Sequence, residues 1–161
     1  MALYEHRQTG WVIILAVGAA FVLVYLTVGQ VARAGIGLAL VLLVILALFH
    51  SMTVRVGADE VRISLGVGLI RKRIPVASIR SCRIVRNPWY YGWGIHLFPG
   101  GILYNVSGMR AVELTLDNQR GFRIGTDEPE ALQAALASRL GAEPNSRYTP
   151  GDSENPQGET A

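Results

Sequence analysis

Residues 12–28 read VIILAVGAAFVLVYLTV, a run with no charged residue whose polar positions are Tyr25 and Thr27. Its length is close to the minimum that crosses a roughly 30 Å hydrocarbon layer as a helix. A second apolar run, GIGLALVLLVILALF over Gly35–Phe49, follows the short link GQVARA, in which Arg33 is the only charge. Two such runs predict a transmembrane helical hairpin over residues 11–52, with both chain ends on one side. Gly18, Ala19, Ala20, Gly35, Gly37 and Ala39 are small enough for close helix approach. Neither run carries Asp, Glu, Lys or Arg, which argues against a transporter or proton relay. Arg7, Arg55 and Arg62 flank the outer ends, so the positive-inside rule puts residues 1–10 and everything after the hairpin in the cytoplasm.

The bulk properties fit one small domain beside that hairpin. The chain has 161 residues, a formal net charge of +3 and a mean hydropathy of +0.31, a value the two apolar runs account for. Basic charge is concentrated: Arg55, Arg62, Arg71, Lys72, Arg73, Arg80, Arg83 and Arg86 stand against Asp59 and Glu60 in residues 55–86. This arrangement suits an anionic lipid leaflet. It does not suit nucleic acid, because aromatic residues are not interleaved with the basic ones as a base-stacking surface requires. The single cysteine, Cys82, excludes an internal disulfide and cannot supply a zinc site alone, consistent with a reduced compartment.

After residue 52 the period changes from helical to alternating. Thr53–Val56 is β-branched at three positions, and Val61, Ile63 and Leu65 alternate with Arg62 and Ser64 as in a half-buried strand. Further strands are expected at 69–74, 81–85, 95–98, 102–106, 111–116 and 122–124, separated by turn signals such as Gly66-Val67-Gly68, Asn87-Pro88 and Pro99-Gly100-Gly101. Thr126 then caps a helix, Pro129 occupies its first turn, Leu132, Leu136 and Leu140 form its apolar stripe, and Gly141 ends it. The expected domain, residues 53–141, is a mainly antiparallel β barrel or sandwich with a C-terminal capping helix. Residues 142–161, rich in Pro, Gly, Ser, Asn and Glu, read as a disordered acidic tail.

Two stretches carry a resemblance. YYGWGIHLFPGGILYNVSGMRAVEL (Tyr90–Leu114) and FRIGTDEPEALQAAL (Phe122–Leu136), placed after two apolar runs, are similar to the bacterial pleckstrin-homology-like (PH domain-containing) membrane proteins. The resemblance implies a PH-like domain at the cytoplasmic face of a bacterial inner membrane. It also implies that basic residues of the first strands, here Arg62, Arg71, Lys72 and Arg73, contact anionic headgroups.

Two candidate sites follow. In a strand, Arg71 and Arg73 share one face while Lys72 takes the other; with Arg62 they are either lipid-facing or an ordinary charged surface. Trp89, Tyr90, Tyr91 and Trp93 are four aromatics in five positions, beside Gly92 and Gly94. They form an interfacial belt, a protein-binding patch or the lining of a core opening. Catalysis finds no support: His6, His50 and His96 are far apart in sequence, no Gly-x-Ser-x-Gly elbow or dinucleotide loop occurs, and no metal-ligand cluster or cofactor motif is present. The expectation is a membrane-anchored, non-catalytic module that holds a partner protein or assembles with itself. A lipid-headgroup sensor and a structural subunit of a membrane complex are the alternatives.

Overall fold

The computed structural model describes residues 3–27 and 32–141; the link residues 28–31 and the tail 142–161 lie outside that description. The first element is a strand, β1 (Tyr4–Thr9), within the segment expected to stand apart from the domain. It is followed by α1 (Trp11–Thr27) and α2 (Ala32–Phe49), then by β2 (Ser51–Val56), which returns to pair antiparallel with β1. The two helices are thus an insertion between paired strands. Their base is closed by the Gly10 N–H donating to the His50 carbonyl at 2.7 Å.

α1 and α2 pack on each other and leave apolar side chains such as Leu15, Leu23 and Leu40 exposed. No helix among the described residues is long and apolar enough to cross a membrane. The 17 residues of α1 rise about 25 Å, short of the roughly 30 Å of a hydrocarbon core. This overturns the transmembrane hairpin, and the assignments built on it, a membrane anchor and an inner-membrane location with cytoplasmic termini, fall with it.

β3 (Glu60–Leu65) and β4 (Ile70–Pro75) complete a four-stranded antiparallel sheet in the order β1-β2-β3-β4. Strict alternation sorts its residues. Met52, Val54, Val56, Val61, Ile63, Leu65 and Ile74 are buried on one face, while arginines, Thr53 and Ser64 occupy the other. The β3–β4 turn rests on the end of α2: the Val67 N–H donates to the Ala47 carbonyl at 3.0 Å. Gly66, at φ +55°, is required there because any Cβ would collide with that same carbonyl oxygen.

At Pro75 the sheet stops. Proline has no N–H for a further ladder, and a 3₁₀ turn (Val76–Ser78) redirects the chain into a second sheet. Its strands are β5 (Ile79–Arg86), β6 (Gly94–Phe98), β7 (Gly101–Asn105), β8 (Arg110–Leu116) and β9 (Gly121–Gly125), in the order β5-β8-β9-β7-β6. β7 and β9 run parallel and the other pairs antiparallel. The two sheets do not join by hydrogen bonding into a closed barrel, so the PH-like barrel is also corrected.

The sheets share one core. Val112, Leu114, Phe122 and Ile124 of the second meet the apolar face of the first. α3 (Pro129–Leu140) packs chiefly on β5 and β8, with Leu132 and Leu136 fully buried. Gly141 ends it in the left-handed conformation, its N–H donating to the Ala137 carbonyl. Polar links tie β1 to the start of α3: His6 Nε2 lies 2.7 Å from Asp127 Oδ1, and Gln8 Nε2 donates to the Gly125 carbonyl at 2.6 Å.

Candidate anion-binding face

The solvent face of the first sheet is built by register. Directly opposed residues in antiparallel strands share a face, so Arg7, Thr53, Ser64 and Arg71 form one row across β1-β2-β3-β4. Two residues along, Glu5, Arg55, Arg62 and Arg73 form the next. Together with the rim Gly66-Val67-Gly68 these rows, Glu5 apart, line an open groove of about 510 Å³.

Charge on this face is unbalanced. Its five arginines are accompanied by Glu5 and Glu60. Glu5 binds Arg55 at 2.7 Å, and its hydrogen bond holds the Arg55 guanidinium above its ordinary pKa. Glu60 pairs with Arg62. Arg71 donates from Nε to the Gly68 carbonyl at 2.6 Å, which tethers its guanidinium over the rim. Among the described residues, Arg7, Arg71 and Arg73 have no carboxylate partner. The hydroxyls of Thr53 and Ser64 between them make no hydrogen bond within the described residues.

The four basic residues singled out in the sequence, Arg62, Arg71, Lys72 and Arg73, all line this groove. Lys72 differs from the others in register: it stands opposite Ile63, out of the two arginine rows, and is exposed on the edge strand β4. Two members escaped sequence reading. Arg7 lay in a segment that gave no strand signal, and Arg55 reaches the groove only through a pairing with β3 that alternation alone does not specify.

The aromatic segment lies elsewhere, in the connection from β5 to β6 of the second sheet. Trp89–Tyr91 is a single 3₁₀ turn. Trp89 and Tyr90 are 80% and 67% exposed and meet edge to face, whereas Tyr91 is half-buried and stacks on Phe98. Trp93 is exposed. Gly92 and Gly94 both take positive φ, and the Asn105 side-chain amide donates to the Gly92 carbonyl at 2.9 Å. The segment is therefore half anchored and half exposed. Next to it, β6 is an edge strand on which Leu97 is 80% exposed.

Other chemistry-bearing side chains are engaged structurally. Glu113, buried on the outer face of the second sheet, accepts from Arg83 at 2.7 Å and from Arg123 at 2.5 Å. The Arg123 guanidinium lies 4.2 Å from the centre of the Phe98 ring. Burial pushes the Cys82 thiol up, so its arginine neighbours do not make it a thiolate. His50 and His96 each contact a nearby backbone carbonyl. Among the described residues no group of three or more His, Cys, Asp or Glu side chains could hold a metal ion.

No family model, no curated protein and no solved structure matches this chain. The resemblance drawn from Tyr90–Leu114 and Phe122–Leu136 therefore has no support in comparison, and the two-sheet architecture contradicts the fold it implied.

Proposed function

We propose that this chain is a non-catalytic binding module that holds an anionic partner on the outer face of its first sheet. The observation that supports this reading is the register of the arginines. Arg55, Arg62 and Arg73 stand directly opposite one another across three adjacent strands. Like-charged neighbours destabilise a sheet; Glu5 and Glu60 offset Arg55 and Arg62, but Arg73 beside them, and Arg7 and Arg71 in the next row, have no carboxylate partner among the described residues, and an anion seated there supplies the missing countercharge. Guanidinium groups are also the preferred partners of oxyanions, since their fork donates two parallel hydrogen bonds. The test is retention of the full chain on a heparin matrix. Arg71→Glu and Arg73→Glu, separately, should each elute at lower salt than the parent chain. Elution of both at the parent position would reject the reading.

A second reading, a protein partner held at the β5–β6 connection, is favoured by the exposure of Trp89 and Tyr90 beside the unpaired edge of β6. Tryptophan and tyrosine dominate interface energetics, and a free strand edge can accept an added strand from another protein or a second copy. Photocrosslinking from position 90 in cells tests it: a discrete captured protein supports this reading, and capture of none rejects it.

A further inference from the structure

The two rows of the basic face differ in chemistry, and the difference specifies a ligand. In the first row the Thr53 and Ser64 hydroxyls are direct cross-strand neighbours, half-buried and without a hydrogen bond among the described residues. Arg7 stands at one end of that row and the tethered Arg71 at the other. In the second row Arg55 and Arg62 already hold glutamates, and Arg73 has none. Arg73 lies two residues along β4 from Arg71, about 7 Å away at the backbone.

A carboxylate offers two oxygens in one plane, and two flanking guanidinium groups already occupy both of them, as Arg83 and Arg123 do on Glu113. A phosphate group offers three oxygens in a tetrahedral fan and carries up to two charges. Its third oxygen, outside the plane of the other two, can accept from hydroxyls beneath it while those two accept from guanidinium groups on both sides. The first row has that donor set, and the second supplies a further cationic position one strand repeat away. We propose that this face takes a ligand bearing two linked phosphate groups, one over Thr53 and Ser64 between Arg7 and Arg71, the other at Arg73. This rests on the anion-binding reading above and names its chemistry. Such groups occur on soluble phosphate esters and on polyphosphorylated lipid headgroups alike.

The test is isothermal titration of the full chain with tripolyphosphate, orthophosphate and 1,2,3,4-butanetetracarboxylate at fixed ionic strength. Tripolyphosphate should bind at least tenfold more tightly than either of the others. Thr53→Val with Ser64→Ala should abolish the preference over the tetracarboxylate, and Arg73→Gln the preference over orthophosphate. All three positions face solvent, and an unchanged amide NMR spectrum outside the first sheet verifies folding. Equal affinity for tripolyphosphate and tetracarboxylate would overturn the phosphate assignment while leaving the anion-binding reading intact. Equal affinity for tripolyphosphate and orthophosphate would overturn the two-group assignment, and binding of no probe would overturn both readings. Vesicles carrying 5% of a bisphosphorylated inositol lipid separate the sources. Vesicle binding displaced by tripolyphosphate supports the site with a headgroup as ligand. Tripolyphosphate binding without vesicle binding supports it with a soluble ester.

Discussion

Arg62 and Arg73 face each other across the β3–β4 pair, with Arg55 on the far side of Arg62. Directly opposed like charges cost about 0.2–1 kcal/mol. Replacing Arg73 by Thr, a good strand residue, should therefore stabilise the unliganded chain by about that amount while weakening anion binding. The gain should shrink in high salt, where exposed charges are screened. Urea denaturation of parent and Arg73→Thr chains at low and high ionic strength checks both parts, and a variant less stable at low salt would contradict the assigned register effect.

Glu113 should dominate the acid limb of stability. Burial alone would raise its carboxyl, but hydrogen bonds from Arg123 and Arg83 outweigh that effect and hold it below the ordinary value of 4.5. A carboxyl lowered on folding contributes its stability above the unfolded value and loses it as pH falls through the folded one. Melting temperature should thus be level above about pH 5 and fall below 4.5. Glu113→Gln should flatten that fall. Glu113→Ala should cost about 3 kcal/mol at neutral pH, because it strands Arg123 in a largely buried position.

Tyr4 should set the alkaline limb. Burial first, and then the nearby Glu128 and Asp127, push its hydroxyl up from 10.0 to about 12. In the unfolded chain the proton leaves near pH 10, so stability declines as pH rises from 10 toward 12. Tyr4→Phe should reduce that decline while changing little at neutral pH. Denaturant midpoints measured at pH 9, 10.5 and 12 discriminate.

Two glycines with left-handed φ should respond unequally to alanine. At Gly108, φ +72°, nothing lies near an added Cβ, so Gly108→Ala should cost only about 1 kcal/mol of backbone strain. At Gly66 the same strain is joined by collision with the α2 carbonyls of Ala47 and Leu48. Gly66→Ala should cost several times as much, visible as a larger drop in melting temperature. Equal drops would mean that the β3–β4 turn does not bear on α2.

Much of the local structure was legible. The alternation of Val61, Ile63 and Leu65 with Arg62 and Ser64 marks β3, and the Leu132/Leu136 stripe ending at Gly141 marks α3. What was not legible is nonlocal. β1 has a polar, weakly patterned sequence and is a strand because β2, beyond two intervening helices, supplies its partner. The parallel β7–β9 pair likewise depends on chain crossing. Pro75 announces a break, but whether the chain resumes the same sheet or begins another is decided by the 3₁₀ turn and by packing on the far side of the core. The apolar runs misled for a different reason. Freedom from charge does not separate a helix that crosses a bilayer from a shorter one, and the count sat at the boundary. For the candidate face, the Arg71/Arg73 alternation was readable. The arrival of Arg7 and Arg55 beside it was not, because register across strands is a property of the fold.

The hydrogen bond from Val67 to Ala47 gives the basic groove a mechanical neighbour. Ala47 belongs to the last turn of α2, Val67 is flanked by Gly68, and Gly68 holds Arg71 through its carbonyl. The helical pair is thus a long arm whose fulcrum sits one residue from an arginine tether. A tilt of that arm would be transmitted to Arg71 through two hydrogen bonds, while Arg73, with no such coupling, would be left in place.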